Sequence, residues 1–176
     1  MKRNSRIGIG ILAAAVLGVA TSAWAQVPND AQIAAIVVTA NQVDIDAGRL
    51  AASKATNPDV KAYGQMMVTD HTGVNKQATD LVTKLGVKPE DNPTAQSLKS
   101  GGADNVKSLQ SLSGAAFDKA YIDHEVTYHQ NVLDAVDKTL IPNAQNAELK
   151  ALLVKVRPAF AAHLEKAKQI QASLGK

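Results

Sequence analysis

The 176-residue sequence contains no cysteine. This absence excludes disulfide bonds, thiolate metal sites, iron–sulfur clusters, cysteine nucleophiles and lipid attachment to an N-terminal cysteine. The net charge is also small, and Lys2, Arg3 and Arg6 account for the whole excess of 19 basic over 16 acidic residues. Since the rest of the chain is neutral overall, its composition predicts no nucleic-acid partner.

Common catalytic motifs and strand patterns are missing as well. Gly101-Gly102 is not followed by Gly-Lys-Ser/Thr, so there is no phosphate-binding loop, and no serine nucleophile elbow occurs. Apolar residues recur every three or four positions between the prolines and glycines, without sustained period-two alternation. The sequence therefore predicts an all-α protein, and it names no reaction.

The N-terminus has the pattern of a secretory signal. A basic stretch (residues 2–6) precedes an apolar run (7–20), and Ala23-Trp24-Ala25 fits the small-x-small rule of signal peptidases. The alternative is an uncleaved anchor, for which the run is shorter than the roughly 20 residues that span a bilayer. We expect a signal peptide over 1–25, no membrane span after cleavage, and a periplasmic or, alternatively, secreted protein.

The remaining chain, residues 26–176, is predicted to be one helical domain with its core over 31–172. Four long amphipathic helices are expected at 31–55, 58–85, 114–140 and from 143–146 onward, with a weaker helix at 94–112 that the glycine pair could break. About thirty residues (86–113) connect the second long helix to the third. Because this connection can run the length of a bundle, we predict a ferritin-like four-helix bundle with a long crossover carrying an additional short helix.

Five polar side chains interrupt the apolar stripes of these helices: Asp44, His71, Glu125, His129 and His163. Counting residues from the turns places Asp44, His71 and His129 at similar depth in the bundle, with Glu125 one turn before His129. His163 is expected roughly 9 Å out of level with His129, at ~1.5 Å of rise per residue, and nearer to Glu125. His124 and Asp70 fall outside the stripes, so we expect His124 to face outward or a helix junction and Asp70 to be solvated or to link helices.

Two interpretations of this cluster remain open. One is a mononuclear site for a single Zn, Fe, Mn or Cu ion, since imidazole and carboxylate ligands suit these metals. The other is a buried polar network in which the histidines bond Asp44, Glu125, Tyr121 or Tyr128 and fix the helix register. A dinuclear carboxylate site is less favoured, because the sequence contains no Glu-x-x-His motif.

Four segments carry a family resemblance: 44–51 (DIDAGRLA), 60–72 (VKAYGQMMVTDHT), 117–121 (FDKAY) with the following His129, and 158–164 (PAFAAHL). Together they are similar to the bacterial domain of unknown function numbered 4142. The resemblance covers about residues 31–172. It implies an exported protein with a ferritin-like fold, and it implies no established activity.

Three functions are compatible with these patterns. The leading hypothesis is an exported ferritin-like protein that acts by binding, in metal handling or as an envelope-stress accessory protein. The alternatives are an Fe- or Mn-dependent oxidoreductase and a ligand-free structural or interaction bundle.

The export hypothesis predicts that the mature chain begins at Gln26, because signal peptidase cleaves after the small residue Ala25. Intact-mass measurement on exported protein tests this cleavage site. A mass that still includes residues 1–25 contradicts the hypothesis.

Overall fold

We analysed a computed structural model, which describes residues 27–175. The predicted signal peptide and its cleavage site lie outside the described residues. Within 27–175 the regular structure is entirely helical, which confirms the all-α prediction. The helices are α1 (Asp30–Lys54), α2 (Pro58–Lys84), α3 (Pro93–Gln110), α4 (Gly114–Ala135), a π-helical turn (Val136–Leu140), α5 (Ile141–Asn143) and α6 (Ala147–Leu174).

Asparagine side chains begin four of these helices: Asn29, Asn57, Asn92 and Asn146. Each accepts hydrogen bonds from backbone N–H groups of the first turn, which have no partner inside the helix. Asn57 is followed by Pro58 at the first helical position, as the sequence predicted. α2 ends just before Gly86, whose φ of 64° suits glycine.

The structure differs from the predicted boundaries in two places. α3 continues through Gly101-Gly102 instead of breaking there, because Gly102 packs directly against Val43 of α1. The helical path after α4 continues through the π turn and α5 to Asn143, beyond the predicted end at 140.

Hydrogen bonds between the helices establish their relative directions. Three side-chain hydrogen bonds join α2 to α6: Asp70 with His163, Gln77 with Lys155, and Lys84 with Glu148. Since the residue numbers rise along α2 as they fall along α6, the two helices run in opposite directions. α4 also runs opposite to α6, since Asp123 contacts Gln171 and Asp137 contacts Arg157. It follows that α2 and α4 point the same way, and α3, packed on α1, returns the chain between them.

The core consists of two hydrophobic clusters with a polar layer between them. Val37, Val74, Leu133 and Phe160 belong to the first cluster, and Ala47, Met67, Ile122 and Ala167 belong to the second. Each long helix carries a polar side chain between its residues of the first and second clusters. These are Asp44 on α1, His71 on α2, Glu125 and His129 on α4, and His163 on α6. We call these five side chains the polar layer.

A buried or half-buried carboxylate holds the interhelix turn at each end of the molecule. Asp118, at the start of α4, accepts hydrogen bonds from the backbone of Thr56 and Asn57 in the α1–α2 turn and from the Thr56 hydroxyl. Asp30, at the start of α1, accepts from the backbone of Gln145 and Asn146 before α6. The helices form two hairpins, α1–α2 and α4–α6. Each of these carboxylate clasps ties a helix of one hairpin to the turn of the other.

Small residues allow α1 and α2 to approach closely. A Cβ added to Gly64 would lie 2.8 Å from the Ala51 Cβ and 2.8 Å from the Gly48 carbonyl oxygen. Gly73 lies on the exposed face of the same helix, with nothing within 4 Å of such an atom. The two glycines of α2 therefore have different roles.

We expect Gly64→Ala to lower the free energy of unfolding by about 1–3 kcal/mol, because the backbones must move apart. Gly73→Ala is the matched control, and it should raise stability by roughly 0.5–1 kcal/mol through helix propensity. Chemical denaturation of both variants measures the difference. Equal effects of the two substitutions would show that the helix approach at Gly64 is not tight.

Candidate metal centre

All five residues of the polar layer are buried, each with at most 3% of its surface exposed. Ligand atoms of His71, His129 and His163 lie within 4.8 Å of one another, and so do those of Asp44, Glu125 and His129. The residues that the sequence selected therefore meet at one place, and His129 belongs to both groups.

The expected position of His163 was wrong. Its ring centroid lies 5.4 Å from that of His129 and 5.2 Å from that of His71, and Glu125 groups with Asp44 instead. The count from the turn assumed that the third long helix ends near residue 140. Because the helical path extends to Asn143, His129 lies further from the turn and closer to the level of His163.

An asparagine orients His71. The Asn41 amide nitrogen donates to the Val37 carbonyl (2.9 Å), which directs the amide oxygen to the imidazole. That oxygen accepts from Nδ1 of His71 at 2.7 Å. Nδ1 therefore carries the proton, and the lone pair is on Nε2, which has no hydrogen-bond partner among the described residues.

Oxygen acceptors orient the other two imidazoles in the same way. His129 donates from Nδ1 to the Glu125 backbone carbonyl (3.1 Å), and His163 donates from Nε2 to the Asp70 carboxylate (2.9 Å). The second nitrogens, Nε2 of His129 and Nδ1 of His163, have no partner within the described part of the chain. Each histidine thus uses one nitrogen to fix its ring and leaves the other unpaired.

Burial and mutual charge determine the protonation of the layer. Burial, reinforced by His129 and His163, lowers the pKa of His71 to about 2, so its imidazole is neutral. Burial opposes charge on His129 too, but Glu125 and Asp44 outweigh it and raise the pKa of His129 to about 9. Burial and the neighbouring Glu125 raise the pKa of the Asp44 carboxyl well above its ordinary value. A metal ion that binds His129 must displace its proton, so binding releases protons.

Unpaired oxygens of the two carboxyl groups lie in the same layer. Oδ1 of Asp44 and both carboxyl oxygens of Glu125 have no hydrogen-bond partner among residues 27–175. Oδ2 of Asp44 lies 3.5 Å from Nε2 of His71, and a carboxyl oxygen of Glu125 lies 3.4 Å from Nδ1 of His129. Buried polar atoms are rarely left unpaired, so this concentration of them makes the layer a candidate site for an ion or for water.

Sequence reasoning missed one residue that orients the site, Asn41, and left the partner of another, Asp70, undetermined. Asn41 lies three positions before Asp44 on the same helix face, and that spacing was a usable signal. Asp70 was expected to be solvated or helix-linking, and it links α2 to His163. Neither tyrosine named in the network interpretation bonds a histidine through its hydroxyl in the described residues: the Tyr128 hydroxyl donates to the Ala40 carbonyl, and the Tyr121 hydroxyl has no partner there.

The comparisons with known proteins give a family and no activity. The profile of one family, described as Domain of unknown function (DUF4142), matches residues 17–170. No curated protein and no solved structure matches the chain. Among the residues described, no helix combines the length and apolar character needed to cross a membrane.

The contrast between His163 and His124 tests the site by stability. His163 is buried in the layer, whereas His124 is half-buried and belongs to neither ligand group. We expect His163→Ala to lower the free energy of unfolding by about 1–3 kcal/mol and His124→Ala by no more than about 0.5 kcal/mol. Chemical denaturation with zinc and again with chelator measures both.

A bound ion adds its own stabilisation to the folded state, so the loss at His163 should be larger with zinc than with chelator. The same loss under both conditions identifies His163 as a residue of a metal-free polar network. No loss under either condition contradicts its assignment to the layer.

Proposed function

The chain belongs to the DUF4142 family, and we propose that it is an exported, ferritin-like four-helix-bundle protein that binds one transition-metal ion. The protein ligands are His71, His129 and His163. The observation that carries the proposal is that each of these buried imidazoles is fixed through one nitrogen and unpaired at the other. Histidines that bind metals in proteins are oriented in this way by an acceptor on the second nitrogen.

The choice of ion follows from the donor atoms. Three imidazole ligands suit Zn, Fe or Cu, and the carboxyl groups of Asp44 and Glu125 lie beside them without being counted as ligands. Three protein ligands leave a coordination position for water or another small molecule, as in catalytic zinc sites. The two carboxyl groups also offset the charge of a divalent ion in the buried layer.

The proposed fold and location rest on the helix directions and the N-terminal pattern. Same-direction α2 and α4, joined through α3, support a ferritin-like crossover. The basic stretch, apolar run and Ala-x-Ala site support export to the periplasm. Since the sequence offers no other catalytic motif, we assign the protein to metal handling or envelope stress rather than to a defined reaction.

Zinc titration of the exported chain tests the proposal, because Zn²⁺ binds without redox side reactions. We expect one ion per chain by calorimetry, with protons released on binding. His71→Ala, His129→Ala and His163→Ala should each greatly weaken binding. His124→Ala, the remaining histidine, should bind like the unaltered protein. Absence of zinc binding, or equal loss in the His124 variant, argues for the polar network instead.

The hydrogen bond from His163 to Asp70 can be tested by the same zinc titration. Asp70→Ala should weaken zinc binding about 10–100-fold, since His163 loses the acceptor that fixes its ring. Asp80→Ala is the matched control on the same helix, because Asp80 is exposed and forms a surface ion pair with Lys76. An unchanged affinity in the Asp70 variant shows that His163 is not a ligand.

A further inference from the structure

A cavity of about 180 Å³ adjoins the polar layer. It lies between α1, α3, α4, the π turn and α6, on the side of the first hydrophobic cluster. Two of its lining residues, Thr94 and Asn131, are exposed and mark its rim. At its inner end it is lined by Asn41, Asp44 and His71, so it reaches the candidate metal centre from the surface.

The walls between rim and centre offer almost no free hydrogen-bonding group. They consist mainly of aliphatic side chains, such as Ile36, Leu153 and Val156. The polar wall residues are already engaged, because Tyr128 donates to the Ala40 carbonyl and Asn41 bonds both Val37 and His71. Unpaired polar atoms remain on Asp44 and His71 alone among the residues that line the inner end.

Charge and size define the class of occupant. No Lys or Arg lines the cavity, so nothing there would neutralise a phosphate or carboxylate group. Its volume is comparable to that of dry apolar cavities of roughly 150 Å³, which take up benzene or xenon. A peptide or a nucleotide is too large for it.

Two structural features show that the chain maintains this space. Val136 and Leu140 of the π turn line the cavity, and π-helical turns are frequent at functional sites. The Phe160 ring lies almost parallel to that of His71, with centroids 5.4 Å apart, and so connects the cavity wall to the metal centre. An unfilled space of this size is otherwise destabilising in a core.

We propose that the cavity is a binding site for a small, uncharged, mainly apolar molecule about the size of benzene. The cavity leads this molecule to the side of the bound ion where Asp44 and His71 lie. This assignment rests on the proposed metal site and names the class of molecule that reaches it. The apolar walls select the molecule, and the rim at Thr94 and Asn131 is its entrance.

Benzene is a suitable probe, measured by the thermal unfolding midpoint of the zinc-loaded protein. Benzene should raise the midpoint by a few degrees, because it binds the folded state only. Ala135→Phe places a ring in the cavity and should abolish the rise while retaining one zinc per chain. Ala116→Phe is the control on an exposed position of the same helix, and it should respond to benzene like the unaltered protein. Ala40→Leu fills the opposite wall and provides a second test if Ala135→Phe folds poorly.

A cobalt-loaded sample tests the contact with the ion. Benzene should change its visible absorption spectrum in the Ala116→Phe protein and leave it unchanged in the Ala135→Phe protein. No rise in the unfolding midpoint, or the same rise in Ala135→Phe, overturns the cavity as the binding site. A rise without a spectral change overturns delivery to the ion, whereas benzene binding in a chain that takes up no zinc overturns the metal site alone.

Discussion

Burial of five ionisable side chains in one layer is the constraint on which the rest of the structure depends. An imidazole or carboxyl group removed from water is destabilising unless it is paired or ligated. The protein meets only half of this requirement, because Asn41, Asp70 and the Glu125 carbonyl each satisfy one nitrogen of a histidine. The unmet half consists of the second nitrogen of each histidine and the carboxyl oxygens of Asp44 and Glu125, the atoms that the proposed ion would satisfy.

The layer also explains why the core is divided. Each long helix carries apolar residues on both sides of its polar position, so the two hydrophobic clusters stabilise the helices independently of the layer. Close packing at Gly48 and Gly64 and the contact of Gly102 with Val43 hold α1 firmly between its neighbours. The buried, unpaired polar groups are thus carried by closely packed helices, which keep them in fixed positions.

The sequence predicted more of the layer than of its surroundings. Interrupted apolar stripes identify Asp44, His71 and His129, because a helix places residues three and four apart on one face. The depth of His163 could not be obtained by counting, since the π turn extends the helical path and has no clear sequence signature. The partner that Asp70 bonds on α6 and the cavity could not be predicted, because contacts between helices depend on rotamers and side-chain volumes that periodicity does not encode.

The carboxylate clasps have a consequence for how the molecule opens. Turns between helices are ordinarily the first parts of a helical protein to exchange their amide hydrogens, since they make few buried contacts. Here the turn of each hairpin is bonded to an aspartate of the other, through Asp118 at one end and Asp30 at the opposite end. Neither hairpin can fray from its turn without releasing a residue of its partner. The two hairpins should therefore open together as one cooperative unit, and the amide hydrogens of both turns should exchange at the rate of that global event.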